Sequence, residues 1–405
     1  MKTLKELIEV EKAVEILTDK LKTIQYEEEN LPLWMALGRI LNEDVVALHD
    51  LPDVDRSAVD GFAVIAEDTY HATHYNPVEL KLVKQLEKGK CIERGEAFEV
   101  HTGWSIPCGA NSVVMKEDVI AGEKTIHVLK PASVGGNVSR RGEDYAKGSV
   151  IARRGTILGP FHLAILSSNG VGSVKVLRKI KVGIIATGDE IIRPGFKRRE
   201  GTYFDSSGIL IQMLLANDGF YDVKYYGVFP DDVKLVSEVL NEATLVNDIV
   251  LSVGGTGVSN SDVTVEAAED LGEILFRGVR MRPGRPTSAS LVNGRLVLHL
   301  SGYPVAAWTG YEMLLRRAVA QALGLVNYDR KFTYARLSKR LPNQVGYHTI
   351  IRARLNEVNG EILAEPYMIR GSGVLTSLVF SQGFIEIPSY VEGFEKGDVV
   401  KVFLF

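Results

Sequence analysis

Apolar positions in the opening stretch MKTLKELIEVEKAVEIL recur at helical spacing between charges, which predicts an amphipathic helix and no signal peptide. The helical character is read on to about Ala47, where LHDLPDVDRSAVDGFAV makes a proline- and aspartate-rich loop entering a strand. From there to about Gly142 the pattern shortens. VELKLVKQL, EAFEVHTG, SVVMKEDVI and TIHVLK read as short strands with glycine turns between them, a small β-rich unit. GSVIARRGTILGPFHLAILSSNGVGSVKV then returns to strand, helix and strand, so the first and return segments form one domain interrupted by the β unit.

From Lys179 strands and helices alternate. KVGIIATG, YDVKYYGVF, DIVLSVGG and RLVLHLSG read as strands. Between and after them, SSGILIQMLLAND, DDVKLVSEVLNEA, DVTVEAAEDLG and PVAAWTGYEMLLRRAVAQALG read as helices, the first with Ile209, Leu210, Met213 and Leu214 on one face. This alternation predicts a mostly parallel sheet covered on both faces. The remainder, with YHTIIRARL, EILAEPY, GFIEIPSY and DVVKVFLF, is again β-rich. The expected organisation is 1–47 with 143–178 as a discontinuous first domain, 48–142 as an inserted β-rich domain, 179–326 as an α/β domain and 327–405 as a C-terminal β-rich domain.

Composition narrows the class. The 405 residues carry 45% hydrophobic and 24% charged residues, ordinary for a soluble globular chain of several domains. A net charge of −4 gives no overall basic surface for nucleic acid, and no apolar run reaches the length of a membrane span. A soluble, cytoplasmic protein is expected. Two cysteines, Cys91 and Cys108, without CxxC spacing or a histidine cluster, support neither a zinc site nor a disulfide framework.

Ligands in an open parallel sheet bind beyond the carboxyl ends of the strands. Four loops occupy such ends: ATGDE with Glu190, FPDD with Asp231, SVGGTGVSNSD ending at Asp262, and LSGYP with Pro304. Glycines there let the backbone approach an anion, whose phosphate the amide hydrogens can cradle. A carboxylate ending such a loop makes sense if a divalent cation lies between, and oxygen ligation of this kind suits magnesium. Competing readings stand beside these. Asp231 and Asp232 suit helix capping, Glu190 a solvated turn and Asp262 an N-cap. FRGVRMRPGRPTSAS supplies Arg277, Arg280, Arg282 and Arg285, either strand-edge charges or guanidinium groups for an oxyanion. SRRGED offers Arg140, Arg141 and Asp144, and DRSAVDGFAV offers Asp60, which is equally a turn aspartate.

SAVDGFA, HTGWSIPCGANSVVMKED, VSRRGEDYAKG, IIATGDEI, GGTGVSNSD, MRPGRP and a late GSG stand in one order along nearly the whole chain. In this the sequence resembles the molybdopterin molybdenumtransferases, the molybdenum insertase family that includes the gephyrin E-domain. The resemblance implies an elongated four-domain subunit that dimerises, with an α/β domain of the molybdopterin-binding type whose site faces a β-rich domain of the partner subunit. It implies a substrate, adenylylated molybdopterin, and an anion, molybdate or tungstate. The reaction it implies is a magnesium- or zinc-assisted phosphoanhydride cleavage that yields molybdenum cofactor and AMP. Mg2+ is the expected cofactor, with Glu190 and Asp262 as its ligands.

Carried over by motif position, Asp60, Asp144, Glu190, Asp231 and Asp262 match acidic positions important for activity. Ser57, Thr187, Gly188, Asp205, Gly254, Gly255, Thr256, Arg282, Pro283, Gly284, Arg285 and Pro304 are the implied substrate-binding set. The chain departs from the family at three places: VGGTG replaces SGGVS, SGYP puts Tyr303 where asparagine is usual, and Gly278 stands at a commonly basic position, with Arg277 and Arg280 near it. Arg282 and Arg285 stand where the lysines of KPGKP are usual, which keeps the positive charge. Two other functions fit parts of the pattern: a molybdopterin adenylyltransferase, which shares the α/β core, and a non-catalytic dimeric scaffold.

Overall fold

The computed structural model describes residues 7–87, 89–255, 262–367 and 371–405. Contacts divide the chain into two compact units, one made of Met1–Glu43, Arg154–Leu163 and Gly172–Phe405, the other of Asp44–Arg153 and Ala164–Val171. Among the described residues no helix is long and apolar enough to cross a membrane.

In the larger unit the first helix is Val10–Lys22, and it buries Val10, Ala13, Val14, Leu17 and Leu21, the one-sided stripe that its spacing predicts. It stops well short of Ala47. A strand Glu28–Pro32 follows and pairs antiparallel with Ser173–Leu177. The partner strand lies far along the chain, so a local helical pattern could not reveal the pairing. Pro32 and Gly38, the latter with φ +75°, also break any helical continuation.

The α/β sheet runs Tyr221–Phe229, Ile180–Thr187, Ile249–Val253, Arg295–Leu300, Ser288–Val292, Gly272–Arg277. Only Ser288–Val292 runs against the others, being antiparallel to both neighbours. Both faces are covered, which is why the central strands read as unbroken apolar runs. Ile184, Leu251 and Leu298 face the helices Ser207–Asp218 and Pro304–Gly310 and the turns after them. Ile185, Val250 and Val297 face Val236, Leu240, Val263 and Ala267 of the other two helices. Helix Ser207–Asp218 is apolar almost all round, so periodicity could not choose its inner face. The structure buries Gly208, Ile211 and Leu215 and leaves Met213 52% exposed.

The C-terminal strands close into a barrel: His348–Val358, Glu361–Pro366, Phe332–Leu337, Val399–Leu404, Gly383–Ile387 and back to His348–Val358. A two-residue strand from the α/β domain, Met281–Arg282, joins its edge in parallel with His348 and Thr349. The connecting segment is tied down by buried polar groups. Glu312, 3% exposed, accepts both Arg330 Nε at 2.9 Å and Arg330 Nη2 at 2.7 Å, and Arg316 Nη1 lies at 3.4 Å. Asp218 Oδ2 accepts from the hydroxyls of Tyr311 and Tyr328 at 2.5 and 2.6 Å.

The smaller unit is a six-stranded sheet in the order Ser112–Met115, Gly61–Val64, Glu96–Val100, Val78–Val83, Thr125–Val128, Val119–Ala121. Alternate residues of these strands, among them Phe62, Val64, Leu80, Val114, Ile126 and Val128, form its core. One expectation is overturned here, since Cys91 and Cys108 form a disulfide. Their spacing carries no motif; the fold makes the pairing, with Ile92 N–H donating to Cys108 O at 2.8 Å. The loop of 17 residues it closes predicts that Cys91→Ser with Cys108→Ser lowers the stability of this unit by about 3 kcal/mol. Urea denaturation of parent and variant, with and without reductant, measures this; equal midpoints for oxidised parent and variant would rule out a staple.

Candidate active site

Four strands of the α/β sheet end at one cavity of about 950 Å³. Ile180–Thr187 delivers Thr187, Gly188 and Glu190, and Tyr221–Phe229 delivers Asp231. Ile249–Val253 delivers Gly254 and Gly255, and Arg295–Leu300 delivers Ser301, Gly302, Tyr303 and Pro304. The turn Arg282, Pro283, Gly284, Arg285 forms another wall, and Ser372, Gly373 and Leu375 come from the C-terminal domain. The glycine at 254 has a steric reason. Its φ is +105°, and a Cβ there would sit 2.3 Å from the carbonyl oxygen of Thr187. Thr256 lies outside the described residues.

The acidic residues divide. Asp232, not Asp231, caps the helix Val233–Val246, accepting the Leu235 amide at 3.0 Å. That leaves the Asp231 carboxylate free to face the cavity, with its Oδ1 buried and without a hydrogen-bond partner among the described residues. Burial first, then the charges of Asp189 and Glu190, hold its pKa above the ordinary value. Glu190 is exposed on the same wall. Asp205 lines the cavity too, but its carboxylate is occupied: it accepts Gly208 N–H at 2.8 Å and Tyr225 O–H at 2.6 Å, fastening the start of helix Ser207–Asp218.

Asp262 stands at the N-cap position of Val263–Leu271 without a side-chain cap bond, and it is not among the residues lining the cavity. Its Oδ1 is buried and has no hydrogen-bond partner among the described residues. Burial pushes its pKa up to about 6 against the pull of Arg277. Because the folded pKa lies above the unfolded one, ionisation penalises the native state. The penalty is absent below about pH 4 and complete above about pH 6, reaching about 3 kcal/mol. Asp262→Asn should therefore stabilise the chain at pH 8 and not at pH 4. Denaturation midpoints at both values check this, and an equal gain at each would refute the charge as its cause.

The four arginines of FRGVRMRPGRPTSAS separate in the same way. Arg277 pairs with Glu269, and Arg280 lies 3.4 Å from Glu9 and donates to Leu7 O. Arg282 and Arg285 make no ion pair among the described residues, and both are half-buried in the cavity wall. The Arg282 guanidinium lies 4.0 Å from the centre of the Tyr347 ring. Val279 N–H bonds Arg285 O, and Thr287 N–H bonds Gly284 O, so the turn is fixed at both ends. Two half-buried cations without a carboxylate partner among the described residues leave positive charge on this wall, the chemistry that suits an anion.

In the smaller unit, Asp60 accepts Thr102 N–H at 2.7 Å and Thr102 Oγ1 at 3.0 Å, and the amide bond first of all lowers its pKa. Ser57 is buried and donates to Val59 O. Asp144 is exposed, anchored by its amide to Leu51 O.

Among the described residues no three His, Cys, Asp or Glu side chains form a ready-made metal cluster. Magnesium does not require one. It is commonly held by one or two carboxylates with water and substrate phosphates completing its shell. Asp231, with its orphaned oxygen, and Glu190 on the same wall fit that mode.

Tyr203, Phe204, Ser372, Leu375 and Tyr347 carry no local signal in the sequence that marks them as site residues. They reach this region through strand pairings and turns distant in sequence, and only a motif match at GSG pointed near Ser372.

The pattern "Probable molybdopterin binding domain" covers residues 183–321. The MoeA N-terminal region (domain I and II) covers 8–170, and the MoeA C-terminal region (domain IV) covers 334–405. A Methanocaldococcus jannaschii protein, provisionally named for molybdopterin biosynthesis, is 36% identical over 417 residues, with both chains covered in full. A Staphylococcus aureus molybdopterin molybdenumtransferase is 31% identical over 91% of this chain and 89% of its own. The crystal structure of a molybdopterin biosynthesis MoeA protein from Pyrococcus horikoshii superposes with a TM-score of 0.78 at 34% identity, covering 99% of this chain and 100% of that one. The chain belongs to the MoeA family of molybdopterin molybdenumtransferases, a family of molybdenum cofactor biosynthesis.

Proposed function

We propose that this chain takes adenylylated molybdopterin and molybdate or tungstate, cleaves the phosphoanhydride, releases AMP and leaves the metal on the dithiolene sulfurs. The observation that carries the reading is that one cavity is lined both by Arg282 and Arg285, which make no ion pair among the described residues, and by Glu190 and Asp231. An arginine wall suits anionic oxygens, whether phosphate or metal oxyanion. The acidic wall would repel the same oxygens unless a cation lay between, and Glu190 with Asp231 would hold magnesium there. Asp262, whose Oδ1 is buried without a hydrogen-bond partner among the described residues, is the further acidic candidate. Bound magnesium would supply charge neutralisation at the phosphoanhydride oxygens. The backbone at Gly254 and Gly255 offers close approach to a phosphate, and the narrow seat at Thr187 excludes a side chain there.

Incubation with adenylylated molybdopterin, magnesium and molybdate tests the proposal. An insertase releases AMP in step with cofactor formation. Absence of AMP would leave the scaffold alternative, and consumption of ATP by unmodified molybdopterin would mark an adenylyltransferase. A homodimer with shared sites, including Asp60 and Asp144, is proposed on the resemblance alone; a monomer in sedimentation equilibrium would refute it.

Arg282→Ala and Arg285→Ala should each weaken capture of molybdate or substrate phosphate by about 1.5–3 kcal/mol, the loss of a charge-assisted hydrogen bond. Lysine at either position should restore part of it. Calorimetric titration with molybdate and substrate measures this, and parental affinity in both alanine variants would remove the arginine wall from the mechanism.

A further inference from the structure

Beyond the cavity wall lies a feature that the insertion chemistry does not use. Between Ile192 and Tyr203 the chain makes a surface loop, RPGFKRREGT, closed at its base by a parallel two-residue pairing of Ile191 with Tyr203 and Ile192 with Phe204. Tyr203 N–H donates to Glu190 O at 2.8 Å and Asp205 N–H to Ile192 O at 2.8 Å, so the base is firm. Next to the base, the turn 199–202 is held by Thr202, whose hydroxyl donates to Arg199 O at 2.8 Å.

Arg193, Lys197, Arg198 and Arg199 all lie exposed on this loop, against one acid, Glu200. None makes an ion pair among the described residues, although the chain as a whole carries a net charge of −4. Arg198 donates to Thr202 O at 3.0 Å and lies 5.9 Å from the Tyr203 ring centre. The loop is rooted in the cavity, since Ile191, Tyr203 and Phe204 line it. The loop that carries these four cations is thus rooted in the cavity lining, and among them only Arg198 is shown with a side-chain hydrogen bond, to a backbone oxygen of the loop itself.

An incoming polyanion meets an acidic wall, Glu190 and Asp231, as well as Arg282 and Arg285 inside. Charges outside a cleft raise the local concentration of an oppositely charged ligand and its rate of entry. We propose that loop 193–202 is an electrostatic capture site for the phosphate-bearing nucleotide substrate, engaging its anionic oxygens at the mouth before it enters the cavity. The inference rests on the function proposed above in taking the substrate to carry a nucleotide pyrophosphate. The ligand chemistry is that of a nucleoside diphosphate.

The test uses the full chain and a fluorescent ADP derivative as probe, with association followed by stopped flow across a salt series. The variant R193Q/K197Q/R198Q/R199Q should associate about 10-fold more slowly at low ionic strength, and the difference should vanish by roughly 0.5 M salt. R193K/R198K/R199K keeps the charge and should keep the rate. Equal association rates for parent and neutralised chain at low salt would overturn the proposal. So would a deficit that persists undiminished in high salt, which marks a damaged site rather than lost steering. These rates do not depend on metal insertion, so a low-salt deficit in the neutralised chain, found with a parent that releases no AMP, refutes the insertase reading and leaves the capture loop standing.

Discussion

Glu190→Gln and Asp231→Asn should each reduce AMP release by about 100-fold or more without lowering the thermal transition. The loss follows from the charge that a bridging cation contributes at the reacting phosphates, several kcal/mol where such a cation is used. The unchanged or raised stability follows from the geometry. Asp231 is half-buried, has an orphaned oxygen and is pressed by the like charges of Asp189 and Glu190, so its ionised form strains the resting fold. Neutralising it relieves that strain. The defect should shrink as magnesium is raised, because the remaining carboxylate and the substrate phosphates still offer ligands. Turnover against magnesium concentration, with calorimetric scans beside it, makes the measurement. Parental turnover in both variants would end the metal-bridged reading.

The second large effect concerns stability. Glu312→Ala should destabilise the chain by about 3–5 kcal/mol, since it leaves buried guanidinium charge without its partner. Glu312 is the joint acceptor of Arg330 and Arg316, and it holds the Arg330 pKa above its ordinary value. Glu312→Leu combined with Arg330→Met should lose less than the single change, because one guanidinium leaves with the carboxylate and Arg316 keeps its bond to Tyr328 O. Denaturant midpoints for the single and double variants decide it. A single-variant loss below about 1 kcal/mol would mean that solvent reaches these arginines and that the pair is an ordinary surface contact.

How much of this was readable beforehand depends on whether a residue follows its strand directly. Thr187 ends its strand, Gly188, Gly254 and Gly255 follow strand ends directly, and Pro304 begins a helix just after the strand Arg295–Leu300, so the strand pattern alone carries them to one crevice. The arginine run behaved differently. Arg277 and Arg282 look alike in the sequence, and only the placement of Glu269 beside the first separates a structural cation from an unpaired one. Asp205 precedes a helix like many capping aspartates, and nothing local says that Gly208 and Tyr225 take up its carboxylate. The early helix was read too long because the pairing of Glu28–Pro32 lies with a strand on the far side of the inserted unit. Cys91 and Cys108 were passed over for the same reason, being brought together by backbone pairing between loops.

The short strand Met281–Arg282 has a practical consequence for exchanging parts between relatives. It is encoded within the α/β domain but hydrogen-bonded to the edge of the C-terminal barrel. A chimaera cut at the apparent boundary near residue 327 would keep Arg282 from one parent and the strand that aligns it from the other. Grafts that move 281–285 together with the barrel should preserve the arginine turn, whereas grafts of the barrel alone test whether a foreign edge can seat it.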